Sequence, residues 1–486
     1  MSSMPSPVRW RVARLMSAER VLRAGFVVYS LGVVCLYGTG RIATFQAAGM
    51  LVAPWALLLS LFRPSWLIVL LIATPPGLLA FVSPTLLSVP LLVALAGLTL
   101  LRGRTVEVRS AVLPLATLVM LTFLFEADVG PVAHLAAHEL KTSLIYFTLL
   151  LLVSYHAVRV GELGIDALIR AILISSVGTL AIFIAQSGLN PRALIVSSEA
   201  APDHPGLLFH RTHFGYFVVI PFCIGFAQLV LSRTSRGPRT SFWITVWTLV
   251  FLLLTGLSFT RGAWLSALLT VLLVGSMLRK RRYWLLVPLM ALIVIVVPLT
   301  RERLLSDVSG GLGPAIATGE LGTNRLELWR ELVGEAASKM PWGGGLGFAF
   351  SFSPERLFGE QSFVIGDNPL VYPHNDFLYW TLEFGILGLV LWVSLWLLMI
   401  RAFRAVIRMQ PPHNHPGYLF IGVLITFMVA SLVDNLLFIR PLAERFFVVA
   451  GVILAFGALA RERSTSISRA SPSDHWRGSL HTERSL

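Results

Sequence analysis

Apolar stretches long enough, or nearly long enough, to cross a bilayer recur along almost the whole chain, separated by short polar connections. They lie near residues 24–39, 42–62, 66–82, 85–101, 110–126, 142–156, 166–187, 213–231, 242–259, 262–278, 283–300, 377–400, 417–437 and 442–460. A segment surrounded by lipid must satisfy its own backbone, so each of these predicts a helix. Several are short or nearly adjacent. The pattern therefore predicts an all-α, polytopic membrane bundle of about twelve to fourteen transmembrane helices.

One connection breaks the rhythm. Residues 301–373 are polar and have a net negative charge, and loops of that length are uncommon unless they are functional. Within this loop, residues 324–340 have helical periodicity, with Leu326, Trp329, Leu332 and Val333 as an apolar stripe and Thr323 or Asn324 as a cap. Pro341 and the run GGGLG follow. A phosphate cradle would follow a strand and precede a helix, so this order predicts a flexible turn instead. The chain accordingly divides into an N-terminal segment (1–23), transmembrane helices (24–300), a large, partly helical loop (301–373), C-terminal transmembrane helices (374–460) and a Ser- and Arg-rich tail (461–486) predicted to be disordered.

Charge orients the bundle. With the N-terminus cytoplasmic, alternation puts Arg63, Arg102, Arg104, Arg109, Arg159, Arg233, Arg236, Arg239, residues 279–282, Arg401, Arg404 and Arg408 on the cytoplasmic side. Outside the long loop, the other side receives Arg41, Lys141, Arg192, Arg211, Arg261, Arg440 and Arg445. Both termini are then cytoplasmic and the long loop lies on the opposite side of the membrane. At 56% hydrophobic and 13% charged residues, with a mean hydropathy of +0.77, the chain requires lipid as solvent. The net charge of +14 is thus a topology signal, and no basic run carries the aromatics of a nucleic-acid module. Cys35 and Cys223 both lie in apolar spans and read as small packing residues. The arginine-rich start resembles a signal peptide, but no convincing cleavage motif follows, so a retained first helix is expected.

Arginines on the translocated side run against the positive-inside bias. Arg261, in SFTRGAWL at the tip of a tight hairpin, is either a snorkelling arginine beside Trp264 or a guanidinium gripping phosphate. Arg211, in FHRTHFGYF, is a second such cation. His204, His210 and His213 nearby lack metal-ligand spacing and read as polar lining of a cleft. His134 and His138 share a helix face by spacing, which an interfacial helix also explains. Where the long loop re-enters the membrane, Pro373 and Asn375 mark a helix start in VYPHNDFLYWTLEFGILG. Glu383 is an ionisable residue inside that span, with Asp376 two turns earlier on nearly the same face. His374 at its mouth is either a capping histidine or a base for a hydroxyl proton.

Four ordered blocks, HRTHFGYF, SFTRGAWL, NRLELWRE with PWGGGLGF, and HNDFLYWTLEFGILG, make the chain similar to the O-antigen ligase and O-antigen polymerase superfamily of bacterial envelope glycosyltransferases. The last block is the most specific, while the segment around Arg211 lacks the Gly and Asn run of ligases. The resemblance implies an inner-membrane enzyme with a periplasmic active site. It would transfer a glycan from an undecaprenyl-pyrophosphate carrier to a hydroxyl acceptor, either lipid A core or a growing glycan, with no cofactor and no metal. It further implies that His374 activates the acceptor and that Arg261 and Arg211 hold the pyrophosphate, assisted by Arg325. Asn375, Asp376 and Glu383 would support them, Glu383 by orienting an arginine or the acceptor. Ligase and polymerase readings stand side by side, with a protein O-oligosaccharyltransferase as a third. A flippase or secondary transporter is the alternative from another class, but it should show broken helices and midplane charges in both halves.

Overall fold

The structure is a computed structural model, and it describes residues 64–74, 84–102, 113–127, 131–187, 211–231, 238–258, 260–278, 284–296, 325–352, 373–409 and 415–469. Expectations for the first two spans and the retained N-terminal helix lie outside these residues, as do Arg192, His204 and His210. The described residues are almost entirely helical. The helices are α1 (Pro64–Ala73), α2 (Pro84–Arg102), α3 (Leu113–Leu124), α4 (Pro131–Arg159), α5 (Ile165–Ser187), α6 (Arg211–Leu231), α7 (Pro238–Leu257), α8 (Arg261–Met277), α9 (Leu286–Val296), α10 (Arg325–Ser338), α11 (Asp376–Ile407), α12 (His415–Val433) and α13 (Arg440–Arg469). Four of them open on proline, whose fixed φ and missing N–H suit the first helical position.

Six helices among the described residues are long and apolar enough to cross a membrane: those within α4, α6, α7, α11, α12 and α13. The protein is thus a polytopic helical membrane protein. Each predicted span from residue 66 onward coincides with a helix, with shifts that have local causes. α4 begins well before residue 142 because Pro131 starts about three further turns, which carry His134, His138, Glu139 and Lys141 ahead of the apolar stretch. α12 stops at Val433, short of residue 437, because the side chains of Asp434 and Asn435 take up contacts with the start of α11. α13 continues through Arg469, so the first part of the expected disordered tail is helical, and Glu462 pairs with Arg159 at 2.7 Å.

The core forms around α4 and α13, which run parallel. Phe147 stacks on Phe447 with ring centroids 5.1 Å apart, while Tyr146 meets Glu444 near one end and Arg159 meets Glu462 near the other. A second layer joins α6, α8 and α12, where buried Cys223 lies 3.3 Å from the Thr270 hydroxyl, in the packing role its span predicted.

α10 docks on the first half of α11. Its buried stripe is Leu328, Leu332 and Ala336, at successive i,i+4 steps, whereas Val333, expected in the stripe, is 54% exposed. The glycine segment after α10 is also not the flexible turn expected. α11 breaks at Phe384 and Gly385 (φ 59°, ψ −141°), which frees backbone groups in apolar surroundings. Gly344 N–H donates to the Leu382 carbonyl at 2.9 Å and Gly345 N–H to the Glu383 carbonyl at 2.8 Å. In return, the Ile386 N–H donates to the Pro341 carbonyl at 3.0 Å. On its other edge the segment pairs with the end of α3, Leu346 N–H to the Phe125 carbonyl and Ala127 N–H to the Leu346 carbonyl.

A Cβ at position 385 would collide with the Pro341 carbonyl and would force a side chain into left-handed backbone. Gly385→Ala is therefore expected to destabilise the protein by at least about 1–3 kcal/mol, read as a lowered melting temperature in detergent. An unchanged melting temperature would show that the break tolerates a side chain.

Candidate functional site

The starts of α6, α8, α11 and α13, the end of α12 and the glycine segment gather at one end of the bundle. The α7–α8 hairpin is closed by Trp264, whose indole N–H donates to the Thr255 carbonyl at 2.9 Å, so this ring has a structural partner besides any interfacial role. Arg261 is the first residue of α8 and is half-buried. Its neighbour Gly262 lies directly under the Tyr216 hydroxyl, with no room for a Cβ, and Gly215 meets Thr260 and Ser258 in the same way. The blocks around Arg211 and Arg261 are thus pressed together at their backbones.

Tyr216 carries the chain of contacts onward. Its hydroxyl donates to Asp434 Oδ2 at 3.0 Å, and Asp434 Oδ1 lies 3.6 Å from His374 Nδ1. The latter distance is that of an ion pair when the imidazole is protonated, and too long for a hydrogen bond. His374 is 41% exposed at its side chain, while Asp434 is only 10% exposed. His374 also has φ 50°, a left-handed backbone that costs a non-glycine residue about 1–2 kcal/mol. Three contacts hold that conformation. Asn375 caps α11 through its side-chain oxygen on Leu378 N–H, its own N–H donates to Asn435 Oδ1 at 2.9 Å, and Trp329 of α10 donates its indole N–H to the Pro373 carbonyl at 2.7 Å.

Asp376 is fully buried and accepts from Leu436 N–H at 3.2 Å, which ties the start of α11 to the turn before α13. Glu383 is fully buried as well, and its carboxylate accepts from Gly347 N–H at 2.5 Å and Ala349 N–H at 3.0 Å. Its oxygens thus hold the glycine segment. The resemblance implies that Glu383 orients an arginine or the acceptor; these two contacts are to backbone N–H groups. Arg211 opens α6 five residues before Tyr216, and Arg325 opens α10 one turn before Trp329. Both helix starts therefore lie along the same chain of contacts.

Behind the site is a buried ionic cluster. Glu444 accepts from Arg440 Nε and from the Tyr146 hydroxyl, each at 3.2 Å, and Arg445 reaches Ser175 and packs over the Phe217 ring at 4.3 Å. At the edge, Glu126 accepts from Lys141 at 2.8 Å and faces His134 at 3.1 Å. The Lys141 hydrogen bond holds the Glu126 carboxyl below the usual carboxylate range. Among the described residues, no three His, Cys, Asp or Glu side chains gather around one point as metal ligands would.

Residues 244–393 match the family model described as O-antigen ligase. The match covers less than a third of the chain and supports a resemblance to the O-antigen ligase and polymerase superfamily. The O-antigen ligase segment runs from within α7 to the middle of α11 and includes Arg261, Arg325, His374 and Glu383. No curated protein matches the chain. Tyr216 and Asp434, the two links between Gly262 and His374, lie outside the matched segment, and sequence reasoning weighed neither. The signal for Asp434 was present: it is an acid at the end of an otherwise uncharged apolar span, followed by Asn435.

Glu383→Gln would set an amide N–H₂ against backbone N–H donors that now find carboxylate oxygens. A loss of about 1–3 kcal/mol is expected, measured as an earlier thermal transition in detergent. A variant as stable as the wild type would mean that those backbone bonds contribute little.

Proposed function

We propose that the protein transfers a glycan from an undecaprenyl-pyrophosphate carrier to a hydroxyl acceptor at the periplasmic face of the inner membrane. At the coarser level the family supports an O-antigen ligase-like glycosyltransferase in a multi-pass membrane protein. The observation that carries the finer reading is the line of contacts from Gly262 through Tyr216 and Asp434 to His374. It puts a cation-bearing hairpin and an exposed imidazole on the same end of the bundle.

In this reading the acceptor is either lipid A core, as for a ligase, or a growing carrier-linked glycan, as for a polymerase. His374 takes the proton of the acceptor hydroxyl on Nε2, since Nδ1 faces Asp434. The hydroxyl oxygen attacks the anomeric carbon, the bond from that carbon to the pyrophosphate oxygen breaks, and the carrier diphosphate leaves with the bonding electrons. The Asp434 carboxylate balances the imidazolium that forms. Arg261, with Arg211 and Arg325 at neighbouring helix starts, stabilises the charge developing on the leaving diphosphate, where a guanidinium fork matches phosphate oxygens. Asn375 and Asp376 fix the start of α11, and Glu383 fixes the segment beneath it.

A flippase reading remains the competitor from another class. The broken helix α11 would suit it. The glycosyl-transfer reading is favoured because the break is closed by backbone and carboxylate contacts from the protein itself.

The test is reconstitution of the purified protein with carrier-linked glycan, with and without lipid A core. Transfer is expected to fall by at least about a hundredfold in His374→Ala. It should also fall clearly in Arg261→Lys, which replaces a fork with a point charge. Product on lipid A core indicates a ligase, and chain lengthening without core indicates a polymerase. Full transfer by His374→Ala would remove the imidazole from the chemistry, and translocation without transfer would favour the flippase.

A further inference from the structure

We propose that Trp329, on the helix of the long loop, is a positioning residue that fixes the backbone from which His374 acts. The inference rests on the reading of His374 as the base. His374 occupies left-handed backbone, a conformation that a residue with a side chain holds only when its neighbours impose it. The peptide groups on both sides of His374 are clamped. The Pro373 carbonyl, immediately before His374, accepts from the Trp329 indole N–H at 2.7 Å. The Asn375 N–H, immediately after it, donates to Asn435 at 2.9 Å. One clamp comes from the α12–α13 turn and the other from α10, which lies in a different part of the chain.

α10 is itself seated firmly. Leu328, Leu332 and Ala336 are buried against the core, and the segment that follows is bonded to both sides of the break in α11. Trp329 sits next to this buried stripe, with its ring half-buried and its only hydrogen-bond donor aimed at Pro373. The long loop is thereby linked mechanically to the imidazole. A shift of α10 moves the peptide before His374, and α10 opens with Arg325, one of the cations proposed to meet the diphosphate.

Loss of the indole N–H should let the backbone at His374 relax while packing is kept. The consequence is a slower chemical step without weaker donor binding, a split that a merely structural role would not produce. The experiment compares full-length wild type, His374→Ala, Trp329→Phe and a protein with benzothienylalanine at position 329, which keeps the ring shape but has sulfur in place of N–H. Each is reconstituted with undecaprenyl-pyrophosphate-linked glycan, with and without lipid A core, and melting is followed in detergent. Both Trp329 variants are expected to lose about tenfold or more in kcat, with KM for the donor within about twofold of wild type. If Trp329→Phe does not fold, the benzothienylalanine protein decides. Wild-type kcat in that protein, or a raised KM at unchanged kcat, overturns the proposal while His374→Ala remains inactive. An active His374→Ala, or no transfer by the wild type, instead overturns the functional reading on which the inference rests.

Discussion

A helix can be broken inside an apolar bundle only if the backbone groups set free at the break find partners, because no water is there to take them. α11 breaks at Phe384 and Gly385, and its freed carbonyls at Leu382 and Glu383 are taken by the N–H groups of Gly344 and Gly345. The Glu383 side chain returns the contact by accepting two more N–H groups from the same segment. This exchange fixes where the long loop rejoins the bundle. It therefore fixes the seating of α10 and the direction of the short helical stretch that carries His374 at its start.

From that constraint the site follows by contact. Glycines at 215 and 262 bring the starts of α6 and α8 close enough for the Tyr216 hydroxyl to sit on the α8 backbone. The same hydroxyl anchors Asp434, and Asp434 faces His374. Each link comes from a different stretch of chain. A transfer site that handles a lipid-linked diphosphate has two needs: charge held at a bundle end, and a base exposed to an acceptor. In the function proposed above, the helix starts that carry Arg261, Arg211 and Arg325 supply the first and the clamped imidazole of His374 the second.

The buried polar groups divide into two kinds. Asp376, Glu383 and Glu444 are enclosed and take up backbone N–H groups, arginines or hydroxyls of the protein, so they set shape. His374 is open to the surface at the same end. An ionisable residue in an apolar span is a sound signal of importance. Whether that importance is chemical or architectural depends on what lies opposite it, and for Glu383 it is the backbone of the glycine segment.

The sequence by itself determined the helical membrane architecture. Hydrophobic length and proline at helix starts are local properties, so the described helices coincide with the apolar spans to within a few residues at most boundaries. It also determined the order of the four motif blocks, and hence the resemblance to O-antigen ligases and polymerases. Only the tertiary structure decided that the GGGLG run is a rigid strut, that Val333 faces outward while Ala336 faces the core, and that Glu383 serves backbone. The partnership of Tyr216, Asp434 and His374 was likewise beyond reach, because it joins residues 218 and 60 positions apart in the chain. The reason is physical: helix formation reads nearest neighbours, whereas the partner of a buried polar group is chosen by the packing of helices distant in sequence.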